Sequence, residues 1–491
     1  MKRSFYEKLN IGVFAVLFIL PGIIGACGFA SGRAEALSNA FAALSENRDM
    51  SSRPSSAFDT RAWEDYYNDR LPFRNVLVRA DNNLESGLEK HYRKTVMPVL
   101  VKALGLKNSA PEKESVTAGL KTESTAFSET GDVSGPDEVT KSVHEHTWEA
   151  VDERKASHTD YGRTLYVCSG CGQRKWDDFE DKLVDDEYYP ISYAANSVLF
   201  GKYDWLFYTN DHALEYFQGK MIMDEPQKEK VLAEMNRLKA ACDDRGIQLV
   251  IMLAPNREQV YPEYMPTLDV APGDNREQDL VRYVSGNSDI NIIYPLEDLK
   301  RGNVFYDTCY RYDSHWNHWG AFVATESLYE AIGAKTVRPE SVPVTEEYTM
   351  MAGLIASGAL NPADYEPAKD YFADYRPDAS ALVVEGQQDI AKGYTVYYEA
   401  AATAPEDDRS IVLIGDSFRV SMLRYIEKDF AKSVSIQKEA VLSGSDTDDP
   451  GTWQKIMDAV EDTDILVIES VERYDNECFT IISKLAGYLG R

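Results

Sequence analysis

Short unbroken apolar runs punctuate this chain, and several end in polar residues. Ile411-Val412-Leu413-Ile414 runs into Gly415-Asp416, and Ile247 to Leu253 runs into Pro255-Asn256-Arg257. Ile465-Leu466-Val467-Ile468, preceded by Asp464, delivers Glu469 and Glu472-Arg473. Apolar runs of this length without alternation predict strands buried on both faces. Ile290 to Ile293 predicts another strand. Elsewhere the period changes. Val231, Leu232, Met235, Leu238 and Cys242 recur at helical spacing, Trp319 to Ile332 predicts a second helix, and a third begins near Phe418. Strands alternating with helices predict an α/β fold, a parallel sheet with helices on both faces. In open sheets of this kind the functional crevice lies at the carboxyl edge.

Two strings at such edges carry chemistry. Asp313-Ser314-His315-Trp316 and Gly415-Asp416-Ser417-Phe418 supply a base with a carboxylate beside it and, 102 positions after the histidine, a serine. A serine hydroxyl is a weak nucleophile until an imidazole takes its proton, and the imidazole needs a partner on its other nitrogen. Ser417, His315 and Asp313 are therefore the candidate triad, a chemistry that needs no cofactor. The backbone N–H groups of the helix starting near Phe418 are expected to point at whatever Ser417 attacks. Taken alone, Gly-Asp-Ser is equally an ordinary strand-to-helix turn. Asp416 reads as a cap of that turn, and His318 as a supporting or solvent-facing residue. Trp316 is a candidate sugar platform, a wall for the histidine or a packing residue. Asn256 and Asn317 are candidate side-chain donors to a developing oxyanion. Arg473 either contacts substrate or pairs with Glu469 or Glu472.

Beyond these strings, Asn317 with Gly320-Ala321, Glu46-Asn47-Arg48, Tyr67 to Arg74, Gly201 to Phe207, Tyr261-Pro262-Glu263 and Glu472-Arg473 recur in an order that resembles the alginate O-acetyltransferase group and its DHHW relatives. The resemblance spans most of the chain. It implies an SGNH-hydrolase-like fold and O-acetyl transfer to a cell-surface or exported polysaccharide through an acyl-enzyme. It also implies an acetyl group delivered by a membrane-bound O-acyltransferase partner. The same triad with water as acceptor is a carbohydrate esterase. A catalytically silent polysaccharide-binding module is the reading from another class.

Composition narrows the setting. A formal net charge of −29 over 491 residues, with no Lys/Arg-rich stripe, disfavours nucleic acid and anionic membrane surfaces as partners. Six cysteines are too few for a disulfide scaffold. From Leu9 to Gly32 no residue is charged, and Ile11 to Ala30 is long enough to cross a bilayer of about 30 Å as a helix. Lys2, Arg3 and Lys8 precede it, so the amino end is expected in the cytoplasm and the remainder outside. A lipoprotein anchored through Cys27 of Ile24-Gly25-Ala26-Cys27, or a cleaved signal, gives the same catalytic location.

The expected division is 1–32 as membrane anchor or signal segment, 33–108 as an extracytoplasmic amino-terminal region, and 109–143 as a flexible linker. Residues 144–180 form a zinc-knuckle insertion and 181–491 the catalytic domain. The linker is rich in Ser, Thr, Glu, Lys and Gly, with too little apolar surface to offset chain entropy. In the insertion, Cys168-Ser169-Gly170-Cys171-Gly172 aims two thiolates at one point. His144 and His146, with His158 as a further donor, complete a tetrahedral set for a structural zinc. The other reading of those cysteines is a disulfide or a pair of thiols.

Overall fold

The apolar runs become the strands of one central sheet. The computed structural model describes residues 145–184, 193–195, 197–266, 273–335, 344–347, 368–373, 378–389, 394–443 and 450–490, with a few isolated positions between them. The expected membrane anchor, Cys27, the linker and His144 lie outside the described residues, as do the 46–48 and 67–74 strings. Among the described residues no helix is long and apolar enough to cross a membrane.

In chain order, β1 (Trp148–Arg154), β2 (Gly162–Cys168) and β3 (Arg174–Glu180) come first. The short strands β4 (Tyr193–Ala195), β5 (Val198–Phe200) and β6 (Leu206–Tyr208) follow. Then α1 (Glu225–Asp243) leads into β7 (Gln248–Ala254), α2 (Arg276–Asn287) into β8 (Asn291–Ile293), and α3 (His318–Ile332) precedes β9 (Val344–Glu347) and β10 (Ala368–Tyr371). The hairpin β11 (Ala381–Asp389) and β12 (Tyr394–Ala402) comes next. The last stretch is β13 (Asp407–Gly415), α4 (Phe418–Asp429), β14 (Phe430–Gln437), α5 (Pro450–Glu461), β15 (Ile465–Val471) and α6 (Asp475–Leu489).

The central sheet runs β11-β12-β14-β13-β15-β7-β8. From β14 to β8 all neighbours are parallel, while β12 and β11 extend one side antiparallel. Residues of the middle strands alternate between two buried faces, as the unbroken apolar runs require. Ile411, Leu413, Val250, Met252, Ile465 and Val467 pack with α3 and α4 on one side. Val412, Ile414, Leu249, Ile251, Leu466 and Ile468 pack with α1, α2, α5 and α6 on the other. The helices are locally specified as well. Asp224 and Gln227 form a reciprocal capping box at the start of α1, and Gly333 closes α3 in the left-handed conformation.

Register positions the site. Ile414 pairs with Ile468, and Ile468 with Ile251, so Gly415, Glu469 and Met252 reach the carboxyl edge together. Four of the five strands of the parallel core, β13, β15, β7 and β8, were readable from sequence to within four residues at their ends, while β14 was not read. The antiparallel hairpin β11-β12 and the separate sheet β1-β2-β3 are additions to that expectation. β1 lies open to solvent along nearly its whole length, so its sequence carries no apolar alternation to announce it.

Candidate active site

Ser417 sits between the end of β13 and the first turn of α4, exposed to solvent on an otherwise buried turn. Five hydrogen bonds hold that turn. Asp416 accepts from Phe418 N–H at 3.0 Å and from Val471 N–H at 2.8 Å, which ties the turn to β15. Asp416 N–H donates to Glu469 Oε2 at 3.2 Å. Arg419 Nη1 donates to Gly415 O and Asp416 O at 3.1 and 2.5 Å. Gly415 is needed because a Cβ there would overlap the Glu469 carboxylate. The expectation that Asp416 caps the turn matches this geometry. Of the helix N–H groups expected to point at the substrate, that of Phe418 is spent on Asp416.

Asp313 and His315 arrive on a short fold-back. Cys309 bridges Trp316, Tyr310 N–H donates to His315 O at 3.2 Å and Asn317 N–H to Thr308 O at 3.0 Å. Buried Arg257, just past β7, clamps the strand from behind, its Nη1 donating to the carbonyls of Tyr310 (2.7 Å), Arg311 (3.2 Å) and Asp313. Across this frame His315 Nε2 lies 2.6 Å from Ser417 Oγ, and His315 Nδ1 lies 2.6 Å from Asp313 Oδ1. Asp313 Oδ1 also accepts from His315 N–H at 3.0 Å. Burial pushes the Asp313 carboxyl pKa up, but the His315 hydrogen bond and charge, with Arg257 behind, outweigh it and hold the carboxyl below its usual range. An ionised Asp313 keeps the proton on Nδ1 and leaves Nε2 to accept from the serine.

The other named residues fall into different places. Trp316 is 1% exposed, donates Nε1–H to Phe418 O at 3.0 Å and packs edge-on against the Phe418 ring at 5.0 Å. A tryptophan so enclosed cannot stack on a sugar, which corrects the platform reading; it is a wall behind His315 and Ser417. Asn317 is also corrected. Its Oδ1 accepts from Gly320 N–H at 2.9 Å as the cap of α3, and its Nδ2 donates to Asp307 O at 2.5 Å, so the amide is used within the fold. Asn256 Oδ1 accepts from Arg473 Nη1 at 2.6 Å. Its Nδ2 lies near Glu472 without a well-aligned bond.

Arg473 makes no ion pair with Glu469 or Glu472 among the described residues. Its guanidinium lies over the rings of Phe418, Tyr208 and Tyr474 at 5.5, 5.4 and 5.2 Å, and its buried Nε has no hydrogen-bond partner. The Phe418 ring is 4.8 Å from the His315 ring, so Arg473 and His315 flank the same aromatic. His318 is paired, with Nδ1 2.7 Å from Asp370 Oδ2, and Tyr310 OH donates to the same oxygen at 2.7 Å. Asp370 is a residue the sequence did not suggest. His158 points elsewhere, its Nδ1 3.2 Å from Leu183 O and its ring stacked on Tyr203 at 5.8 Å, and is removed from the metal set.

A serine, an imidazole and a carboxylate in hydrogen-bonded series, on the carboxyl edge of a parallel sheet, are the parts of a hydrolase or acyltransferase centre. Comparison with known proteins points the same way. Residues 198–428 match the family described as SGNH hydrolase-like domain, acetyltransferase AlgX. The match covers 231 of the 491 residues, and over that stretch the chain is similar to this family. Among curated proteins it is 26% identical over 278 residues to the probable alginate O-acetylase AlgJ of Pseudomonas syringae pv. tomato, covering 54% of this chain and 62% of that protein. It is 25% identical over 187 residues to the protein of that name from Pseudomonas putida, covering 37% and 44%. The chain thus spans about half the length of the curated relatives it matches. The solved O-acetyltransferase domain of Pseudomonas putida AlgJ aligns at 15% identity and TM-score 0.35, over 60% of this chain and 99% of that one.

Proposed function

We propose that this chain is an O-acetyltransferase that modifies a cell-surface or exported polysaccharide through an acetyl-enzyme on Ser417. The observation that carries the proposal is the Asp313–His315–Ser417 series, with both links at 2.6 Å. His315 Nε2 takes the Ser417 proton as Oγ attacks the acetyl carbonyl, and the imidazolium is stabilised by Asp313. Collapse of the tetrahedral intermediate expels the donor oxygen, which His315 protonates. In the second half the acceptor hydroxyl gives its proton to His315 and attacks the acetyl-serine, releasing the sugar ester and restoring Ser417. With Phe418 N–H engaged and Asn317 turned inward, Arg473 is the side chain suited to polarise the carbonyl, and Asn256 holds it from behind.

The names of the relatives favour a polysaccharide acceptor. In this reading the acetyl group comes from a membrane-bound O-acyltransferase, and the chain works outside the cytoplasm, held by the apolar segment 11–30 or by a lipid on Cys27. A carbohydrate esterase uses the same groups with water in the acceptor position. A silent binding module is disfavoured, because its Ser417 and His315 would have no reason to lie within hydrogen-bond distance. The discriminating experiment charges Ser417 from a chromogenic acetyl ester and follows the label in the presence of acetyl-free polysaccharides. Transfer outpacing hydrolysis, despite water at about 55 M, supports acyl transfer by a bound and oriented acceptor. Release to water at one rate with every polysaccharide makes the chain an esterase.

A further inference from the structure

The small sheet β1-β2-β3 is unevenly supported. Its inner end is well held. Phe179 packs edge-on against Phe305 at 5.7 Å, Arg163 Nη1 donates to Val304 O at 2.7 Å with its guanidinium over Trp176 at 4.8 Å, and Lys182 Nζ donates to Tyr264 OH at 2.7 Å. The outer end has less, the His146 ring stacked on Trp148 at 5.0 Å and Lys175 Nζ over the same ring at 5.2 Å. β1 is exposed beyond its first residue, and β3 buries only Phe179 fully, so the apolar area there is too small to order the strands by itself.

That outer end nevertheless carries a tightly closed turn. Gly172 N–H donates to Cys168 O and Cys168 N–H to Gln173 O, both at 2.8 Å, with Gly172 at φ 74°. The turn presents Cys168, which is buried, and Cys171, which is exposed. β1 delivers a third group. Trp148 pairs with Cys168, and Ser169 N–H donates to Thr147 O at 3.0 Å, so His146 lies alongside the turn. The donor atoms of His146, Cys168 and Cys171 lie within 4.8 Å of one another, and Cys171 Sγ is 3.4 Å from His146 Nδ1. On a tetrahedral zinc with Zn–S about 2.3 Å and Zn–N about 2.0 Å, two such ligands stand about 3.5 Å apart. The side chains already have that spacing.

We propose that His146, Cys168 and Cys171 bind a zinc ion that staples the outer end of this sheet. Two thiolates and an imidazole form a soft set that suits zinc over magnesium or calcium. On binding, each thiol loses its proton to solvent and the neutral imidazole gives its Nδ1 lone pair; no electron is transferred. The ion is structural in this proposal, because the candidate active site draws none of its groups from this sheet.

The test uses the full chain purified with its thiols reduced and no chelator. Bound zinc is counted by elemental mass spectrometry, and cobalt is substituted to read thiolate-to-metal absorption. The expected result is about one zinc per chain and a cobalt spectrum with thiolate bands. Cys171→Ser and His146→Ala should each weaken zinc binding at least tenfold while ester turnover stays within twofold. Cys171 is the first target because its exposure lets the variant fold. Reduced protein that takes up neither metal would overturn the proposal. So would a Cys168–Cys171 disulfide in protein isolated from its own compartment, or undiminished zinc in Cys171→Ser.

Discussion

The carboxyl edge of the central sheet and the outer end of the small sheet both gather reactive side chains from distant strands, but by different means. At the sheet edge, Ser417 and His315 are placed by packing within the fold: the Asp416 ties, the Arg257 clamp and the enclosed Trp316 and Phe418 rings. At the outer end of the small sheet β1 is exposed and little is packed, and the three donors converge on a turn there. A centre that must be pre-organised for chemistry rests on a rigid scaffold. A structural ion can itself supply the order that its surroundings lack.

Breaking the edge should therefore abolish chemistry. Ser417→Ala or His315→Ala should each lower acetyl turnover by on the order of 10⁴-fold or more, and the double variant no further, because the groups act as one unit. Losses that multiplied in the double variant would separate the two roles. Next in size, Trp316→Ala should destabilise the fold by about 3–5 kcal/mol, as loss of an enclosed aromatic does. Any fall in transfer and in small-ester hydrolysis should then be equal. A selective loss of transfer would restore Trp316 as a sugar contact.

The edge also stores buried acids, and these give it a pH signature. Glu472 is pushed up to about 7 by burial, only partly offset by its hydrogen bond from Tyr294. An acid that holds its proton more tightly when folded is carried without penalty below its unfolded value of about 4.3, and stability falls as pH rises from there through about 7. Glu472→Gln should remove that fall, making the variant more stable than the parent by roughly 3 kcal/mol at pH 8 and little different at pH 4, read from denaturant midpoints. Equal midpoint shifts at both pH values would contradict the assignment. Smaller still in free energy, Arg473→Ala should lower kcat roughly 10²-fold with KM little changed, as loss of an oxyanion donor does. Arg473→Lys should restore part of it. A change in KM alone would make Arg473 a binding residue.

The two regions also differed in how far the sequence revealed them. Ser417, His315 and Asp313 were readable because each stands in a short string at the end of an apolar run or beside a helix start, and local order carries the information. Asp370 was not, because its link to His318 spans 52 positions and depends on where β10 lies. The role of Arg257 likewise needs the fold-back of residues 308–317, although its string was noticed. Trp316 looked the same as a platform or as a wall, since its neighbours in sequence do not reveal what covers it. Asn317 resembled an oxyanion donor until its cap to Gly320 was visible. In the small sheet the Cys-x-x-Cys turn was evident, while the strands around it were not, because β1 is exposed beyond its first residue and β3 fully buries only Phe179.

The central claim is that Ser417 carries the acetyl group. Intact-mass and peptide mass spectrometry of the chain quenched during turnover of an acetyl ester tests it directly. The expected result is one acetyl group on the peptide containing Ser417, absent in Ser417→Ala and reduced to background in His315→Ala. Acetyl found on another residue, or turnover at the parent rate in Ser417→Ala, would contradict it.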